Sequence, residues 1–312
     1  YSLVSDYFRP GVRGRIYGLL QISLPLGFLL GLVLASTIGG VWGWRNVFYV
    51  AGAAGIMIAV LIFFGVREVP RGKAEPELAD LETIGSYRFD LETVKGLFRK
   101  STLLLLFAQG FFGVFPWNVL TYWAFRYLET ERAYDIGQAT FTMALAVIVL
   151  AVGNFVGGAL GDFAFNRTRR GRLLVSIIGV ILGAMFLWLA LSVPVGSESQ
   201  FLLLWLLTAF FMALPPANTP ATVHDITEPE VRSTALGIQY FVENTGAATA
   251  PFLAGLIALG SSLGDAILFI GVGAWVLSAI LLAIAAYLVP KDIESLRRLM
   301  RERADEARQM AA

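Results

Sequence analysis

The sequence predicts an all-α, polytopic membrane protein with eight transmembrane helices. Of its residues 57% are hydrophobic and only 15% are charged, whereas soluble domains carry about 25% charged residues. Eight segments reach the roughly 20 apolar residues that are needed to cross a bilayer. Because backbone polar groups must be paired internally in lipid, each of these segments is expected to be a helix.

The eight segments follow one another along most of the chain, with charged connections between some of them. Their expected bounds are 14–38, 45–66, 101–124, 137–162, 173–193, 200–222, 233–259 and 265–289. Pro215, Pro216 and Pro220 are expected to kink or break the sixth segment, since proline lacks the N–H that a helix interior uses.

Lys and Arg predict the orientation of the helices. Of the 24 basic residues, 21 lie at the chain ends and in alternate connections, which places them at one end of the helices, called here the basic end. Arg45, Arg126 and Arg132 lie at the opposite end. The positive-inside rule assigns the basic end to the cytoplasm, so both chain ends are expected there, in a multi-pass protein of the plasma membrane.

Composition argues against several other classes of protein. The net charge of +1 gives no electrostatic reason to expect a nucleic-acid partner. With no cysteine and one histidine, neither a metal site nor another cofactor is expected, and no nucleotide-binding motif is present. Membrane lipid is the partner that this composition predicts.

An internal repeat relates two distant parts of the chain. Residues 6–18 read DYFRPGVRGRIYG, and residues 225–237 read DITEPEVRSTALG, with five identities at an offset of 219. In each copy a loop, a helix, a short outer loop and a second helix follow in the same order. Parallel repeats of this kind are typical of transporters that are built from two related halves.

The repeat and the charge pattern divide the chain into four parts. Residues 1–72 are expected to be the remnant of a first bundle, two helices long, with four helices missing before Tyr1. Residues 73–100 form a cytoplasmic linker, and residues 101–290 form a complete six-helix bundle. Residues 291–312 are expected to be a solvated cytoplasmic helix, because charges of both signs alternate at helical spacing.

Several motifs resemble the major facilitator superfamily. The strongest is GGALGDFAFNRTRRGR, at 157–172, which is similar to that family's loop motif of Gly-x-x-x-Asp followed by basic residues; GWRNVF at 43–48 and REVPR at 67–71 are weaker matches. Residues 225–251 resemble the spinster-like and organic-anion branches. The resemblance implies the last two helices of an N-terminal bundle plus a whole C-terminal one. It also implies secondary active transport of a small solute by alternating access, with proton coupling as an option. The expected partner is thus a small-molecule substrate, bound by a protein that is monomeric at full length. A membrane-embedded lipid-modifying enzyme and a non-transporting receptor on the same fold are the alternatives; we expect no enzyme.

Charged residues at the basic end are candidates for a cytoplasmic gate. Asp162 is expected to dock on the N-terminus of the first helix, whose amides are unpaired and partly positive. Asp225 is expected to hold one arginine of the group Arg167, Arg169 and Arg170. The repeat adds Asp6, Arg13 and Arg232 to this set. Alternatively, the motif only forms a turn that orients the helices.

Polar residues inside the segments are candidates for a cavity that binds solute or protons. Glu243 is about ten residues into the seventh segment, near the middle of a ~30 Å apolar core, where a carboxylate is costly unless it has a function. The other candidates are Gln239, Asn244, Asn118, Tyr122, Asn218, Gln109 and Gln21. A structural hydrogen-bond cluster around Glu243, an aromatic belt at Tyr122 and stabilisation of a kink by Asn218 are the alternatives. His224 is expected to be a satisfied interfacial residue.

Overall fold

The computed structural model describes residues 2–66 and 91–311, with residues 69, 74 and 76 between those ranges. Within them, the regular structure is helical, with two short 3₁₀ turns at Pro10–Val12 and Pro229–Val231. The α-helices, in chain order, are α1 Ser2–Tyr7, α2 Arg13–Trp42, α3 Trp44–Gly65, α4 Leu91–Arg99, α5 Ser101–Gly113, α6 Phe115–Thr130, α7 Ile136–Arg167, α8 Gly171–Leu191, α9 Glu198–Met212, α10 Pro215–Ile226, α11 Arg232–Ala258 and α12 Leu263–Ala311.

All eight predicted segments are helical, and two of them are broken. The sixth ends its first part at Met212 and restarts at Pro215, as the two adjacent prolines predict. The third is broken between α5 and α6, immediately before Pro116. This second break was not predicted, although its cause is the same, because a proline is accommodated best in the first turn of a new helix.

The protein is a multi-pass membrane protein by the length and composition of its helices. Among the described residues, six continuous or broken helices are long and apolar enough to cross a membrane. Helices α2 and α11, with 30 and 27 residues, are not among the six. In α11 the polar run Glu243-Asn244-Thr245 lowers the mean hydropathy. The count of eight transmembrane helices therefore remains a prediction.

The main apolar core lies inside the bundle formed by α5 to α12. Helix α8 packs against α9 and α12, and α5 packs against α11 and α12. Near the end opposite the basic end, the rings of Phe201 and Trp205 stack at 5.3 Å between centroids, and Tyr127 stacks on Trp205. Helix α3 packs against α2 but buries none of its residues fully, so most of its surface is exposed.

Helix α2 docks on α7 through glycines at the basic end. A Cβ at Gly158 would overlap the carbonyl oxygen of Gly14, and a Cβ at Gly18 would lie 2.7 Å from the carbonyl oxygen of Asn154. Glycines spaced four residues apart let two helix backbones approach closely in a membrane. Farther along α2, Leu30 and Val33 are more than half exposed. The tight contact is thus concentrated at the basic end.

This close approach predicts that Gly158→Ala destabilises the docking of α2. The added methyl group must push Gly14 away, and overpacking of this kind costs about 1–3 kcal/mol. A melting temperature several degrees lower in detergent micelles is expected. Gly52→Ala on α3 is the control, since a Cβ there meets nothing within 4 Å. Equal melting temperatures for the two variants would contradict the prediction.

The predicted internal repeat has the same local structure in both copies. Helices α2 and α11 each follow a 3₁₀ turn and start at residues 219 apart, Arg13 and Arg232. The Arg13 guanidinium donates to the carbonyl oxygen of Ser5 at 2.7 Å, and that of Arg232 donates to the carbonyl oxygen of His224 at 3.1 Å. Ser5 and His224 are also 219 residues apart. The division into domains stays a prediction, and most of the linker before α4 lies outside the described residues.

The C-terminal tail, residues 291–311, differs from the prediction of a solvated helix. It continues α12 without a break at Pro290. Leu296, Met300 and Ala304 recur at intervals of four residues and are at most 5% exposed. One face of the tail is therefore packed, since apolar residues at this spacing lie on one side of a helix. The charges that suggested solvation lie on the other faces.

Candidate functional site

The N-terminus of α2 lies against Asp162, near the end of α7. The amide of Gly14 donates to Oδ1 of Asp162 at 2.8 Å, and the amide of Arg15 donates to Oδ2 at 2.7 Å. The side chain of the N-cap residue, Val12, makes no capping hydrogen bond. Because the first amides of a helix lack partners within it and carry partial positive charge, a carboxylate is well placed there. This is the contact that the sequence predicts for Asp162.

Arg172, in the first turn of α8, joins Asp162 to Asp225. Its guanidinium donates to Oδ1 of Asp162 at 2.7 Å, forms an ion pair with Oδ2 of Asp225, and donates to the carbonyl oxygen of Pro10. Asp225 also lies 3.4 Å from the guanidinium of Arg13. These four charged residues, Arg13, Asp162, Arg172 and Asp225, are called here the charge cluster. All four side chains are buried.

The charge cluster connects four helices at the basic end: α2, α7, α8 and α10. Its two arginines and two aspartates balance in charge, which is the condition under which ions are tolerated in a protein interior. Removing one member leaves an uncompensated buried charge, which is strongly destabilising. The cluster therefore favours the arrangement in which α2 is docked on the larger bundle.

The prediction for the partner of Asp225 was wrong about the arginine. The ion pairs described for Asp225 are made by Arg172 and Arg13, not by the expected group at 167–170. The side chains of that group are exposed, at the end of α7 and in the short connection to α8. The guanidiniums of Arg167, Arg169 and Arg170 lie over the rings of Phe163, Phe165 and Tyr287.

The other predicted gate residues lie at the same end. Asp6 is buried on α1, and Arg232 is buried at the start of α11. Arg232 donates to the carbonyl oxygen of His224, near the end of α10. It therefore stabilises the turn between α10 and α11, in the same way as its repeat equivalent Arg13 stabilises the turn before α2.

Tyr17 and His224 form a polar contact that the sequence analysis missed. The hydroxyl of Tyr17, on α2, lies 2.5 Å from Nδ1 of His224, on α10, and both side chains are fully buried. The Tyr17 ring also packs against Ala217 and Ala221 of α10. His224 thus makes a buried contact between α10 and α2. Only the folded arrangement brings α2 and α10 together, so no sequence signal pointed to the pair.

Lys100 connects the start of α5 to the end of α10. Its Nζ donates to the carbonyl oxygen of Ile226 at 2.8 Å, which satisfies an unpaired carbonyl at a helix C-terminus. Burial lowers the pKa of Lys100, and the nearby carboxylates of Glu228 and Asp292 act in the opposite direction. The residue anchors the linker beside the charge cluster.

The tail lies over the charge cluster. Leu296 and Met300 line a small cavity together with Pro10, Phe165 and Asp225. A separate pair of contacts anchors the tail to the turn before α11, where Arg303 lies 2.6 Å from Oε2 of Glu228 and 3.2 Å from Oε1 of Glu230. The tail thus bridges both repeat copies at the basic end.

Arg303→Ala is expected to loosen the tail. The ion pairs of Arg303 are partly shielded from solvent. Their removal should therefore destabilise the docked tail by about 1 kcal/mol, the upper end of the range for exposed pairs. Hydrogen exchange of amides 296–304 should then be about fivefold faster. The control is Arg298→Ala, whose pair with Glu302 is mostly exposed and 4.0 Å long. Equal exchange rates in both variants would show that Arg303 does not hold the tail.

A polar cavity of about 110 Å³ lies deeper in the protein. Four predicted residues line it and are brought together there: Gln21, Gln109, Gln239 and Glu243. Nε2 of Gln239 donates to Oε1 of Glu243 at 2.7 Å, one helical turn away on α11. Nε2 of Gln109 donates to Oγ of Ser278, on α12, at 3.1 Å. The space and the residues that line it are called here the polar cavity.

Three other predicted residues line a different pocket. Asn118, Tyr122 and Asn244 face an open space of about 750 Å³ between α6 and α11. Nδ2 of Asn244 donates to the carbonyl oxygen of Tyr240, so Gln239 and not Asn244 is the hydrogen-bond partner of Glu243. Asn118 donates to the carbonyl oxygen of its own helix at Val114.

Asn218 does not line a cavity, which corrects the prediction. It is fully buried at the junction of α10 with α7. Its Nδ2 donates to the carbonyl oxygens of Gly157, at 3.0 Å, and Leu214, at 2.8 Å. Asn218 therefore links the N-cap residue of α10 to α7 and stabilises the broken helix, as the alternative reading held.

The described residues offer no arrangement that would hold a metal ion. Within them there is no group of three His, Asp or Glu side chains close enough to coordinate one. The polar side chains that line the polar cavity are the Glu243 carboxylate, the amides of Gln21, Gln109 and Gln239, and the hydroxyl groups of Thr219 and Tyr240.

Packed apolar helices that are long enough to cross a membrane, joined by buried charges and enclosing a polar cavity, define a multi-pass membrane protein. Two overlapping parts of the chain, residues 1–196 and 168–305, match the family model described as Major Facilitator Superfamily. The chain belongs to this superfamily.

Several relatives are similar to the chain over most of its length. The cis,cis-muconate transport protein of Acinetobacter baylyi is 28% identical, over 84% of this chain and 62% of that protein. The hexuronate transporter of Bacillus subtilis is 24% identical over 82% and 61%, and the human protein spinster homolog 1 is 26% identical over 82% and 51%. The chain thus spans about three-fifths of the first two relatives. The resemblance to the spinster-like branch is confirmed.

A solved structure shares the fold. It is a bacterial homologue of the human lysosomal transporter spinster, in an inward-facing and unoccupied conformation, with a TM-score of 0.51 and 20% sequence identity. The similarity covers 95% of this chain and 68% of that one.

Proposed function

We propose that the protein carrying this chain is a secondary active transporter that moves a small solute across the membrane by alternating access. The observation that carries the proposal is the charge cluster, in which Asp162 caps α2 and Arg172 connects Asp162 to Asp225. Among the described residues, these contacts join α2 to α7, α8 and α10 at the basic end, which is where a reversible gate would act.

In this proposal the structure corresponds to a state that is closed at the cytoplasmic end. The charge cluster, the Tyr17–His224 contact and the tail all lie at the basic end. Opening to the cytoplasm would separate α2 from α7 and α10 and break these contacts together. Eight transmembrane helices, two related bundles, a plasma-membrane location with both chain ends cytoplasmic and a monomeric full-length protein belong to the same proposal.

Proton coupling is proposed to act through Glu243. The residue is eleven positions into α11, which at 1.5 Å per residue is ~16 Å from the start of the helix and near the middle of a ~30 Å core. An ionisable side chain at that depth is a functional candidate by default. The polar cavity lies beside it and provides space for a solute group.

Solute flux into liposomes tests the proposed function. The protein is reconstituted without ATP, and uptake of organic acids of the kinds named for the relatives, and of organic amines, is followed with and without a pH gradient. Saturable flux that the gradient changes is expected for at least one solute. Binding without flux would favour a receptor, and chemical conversion of lipid would favour a membrane-embedded enzyme; either result would overturn the proposal.

A further inference from the structure

The side-chain amides of the polar cavity use their NH₂ groups in hydrogen bonds, but two of their carbonyl oxygens have no partner. Their NH₂ ends are engaged: Gln109 donates to Ser278, Gln239 donates to Glu243, and Gln21 donates to the carbonyl oxygen of Pro216. The carbonyl oxygens Oε1 of Gln109 and Gln239 are buried and have no partner among the described residues. Both side chains are at most 4% exposed. Buried polar atoms normally have partners, so a ligand with hydrogen-bond donors would satisfy these two acceptors.

Glu243 adds a carboxylate to the same acceptors. An ionised carboxylate accepts hydrogen bonds and donates none, and one of its oxygens already receives Gln239 Nε2. Of the residues that line the cavity, none is Lys, Arg or His, and Glu243 is the only acidic one. As far as the described residues form it, the cavity wall has one acidic group, no basic one, and an excess of acceptors.

Two glycines on α5 leave the space that a ligand would need beside these acceptors. A Cβ at Gly110 would lie 3.0 Å from Cγ and 3.1 Å from Oε1 of Glu243, and a Cβ at Gly113 would lie 2.5 Å from Nε2 of Gln109. Any larger residue at Gly110 would press on the carboxylate. Both glycines line the cavity.

We infer that the polar cavity binds an ammonium or guanidinium group of the solute, through Glu243 and the free carbonyl oxygens of Gln109 and Gln239. An ammonium group has three donors and no acceptor, and a guanidinium has five donors. Charge-assisted hydrogen bonds to such a cation satisfy the three acceptors and neutralise the buried carboxylate. A carboxylate ligand would instead meet a like charge. The inference rests on the proposed function, in that the cavity receives the transported solute.

The experiment compares a cation and an anion of similar size on the full protein in nanodiscs. Agmatine, which carries both an ammonium and a guanidinium group, and cis,cis-muconate are titrated, and binding is measured by calorimetry. Agmatine is expected to bind at least tenfold more tightly than muconate. Glu243→Gln should weaken agmatine at least tenfold, whereas Glu129→Gln, at an exposed position on α6, should leave it unchanged.

Gly110→Ala provides a second variant that keeps every charge. It should weaken agmatine binding severalfold by narrowing the space beside Glu243. Tighter binding of muconate than of agmatine, no binding of agmatine, or agmatine affinity that survives both variants would overturn the inference. Muconate flux without agmatine binding would contradict only the inference about a cationic solute. Agmatine binding with no flux of any solute would contradict only the proposed transport.

Discussion

Asp162→Asn is expected to shift the protein towards the state that is open at the cytoplasmic end. Asparagine keeps the shape of the side chain but loses the charge that caps the N-terminus of α2 and pairs with Arg172. Breaking a buried ion pair costs about 3–5 kcal/mol, and this cost falls only on the closed state, where the pair exists. Because 1.4 kcal/mol corresponds to a factor of ten, even half of it shifts the ratio of the two states more than tenfold.

Thiol labelling measures this shift directly, since residues 1–312 contain no cysteine that would compete for the label. Ala221→Cys places a thiol at a fully buried position where α10 contacts Tyr17 of α2. A membrane-impermeant maleimide, applied to the side that carries the basic end, should label this cysteine at least tenfold faster in the Asp162→Asn background.

Asp135→Asn is a matched control for the same measurement. Asp135 also caps a helix, because its Oδ1 accepts the amide of Gln138 at the start of α7, but it lies at the opposite end of the protein. Its loss should not change labelling at residue 221. If Asp162→Asn and Asp135→Asn give the same labelling rate, the charge cluster does not close the basic end.

The helices were predictable from the sequence because the length and apolar composition of each segment are enough to indicate a helix, without knowledge of its tertiary contacts. The break before Pro215 followed from two adjacent prolines, whereas the break before Pro116 was missed because a single proline is also tolerated in intact membrane helices. The packing of the tail was missed for another reason. Its apolar residues are few and lie among charges of both signs. The charges indicated a solvated helix more strongly than the spacing of four residues indicated a packed face.

Some contacts of the candidate site were likewise predictable from the sequence, and others were not. The contact of Asp162 with the first helix was predictable because a carboxylate after the glycine motif and an uncapped helix start were expected at the same end. Arg172 looked like one more basic residue of the loop, and only the fold brings Pro10, Asp162 and Asp225 around it. Ser278 was missed in the same way, because the last helix offered no other polar signal.

Glu243→Gln is expected to remove the dependence of transport on a pH gradient. Glutamine has the shape of the carboxylic acid and can still hydrogen-bond to Gln239, so the polar cavity should keep its structure. It cannot take up or release a proton. Tyr240 is the other titratable residue that lines the cavity, and the charge cluster lies at the basic end rather than beside Glu243.

The measurement is the ratio of solute flux with an imposed pH gradient to flux without one, at saturating solute so that weaker binding does not enter. This ratio should fall to about one in Glu243→Gln and stay at its original value in Glu129→Gln, whose side chain is exposed on α6. A charged side chain near the bilayer centre costs about 2.5–3.5 kcal/mol, so a carboxylate that alternates between a proton and a cationic solute avoids that cost in both states. A ratio that stays high in Glu243→Gln would mean that the proton crosses by another route and that Glu243 only orders Gln239.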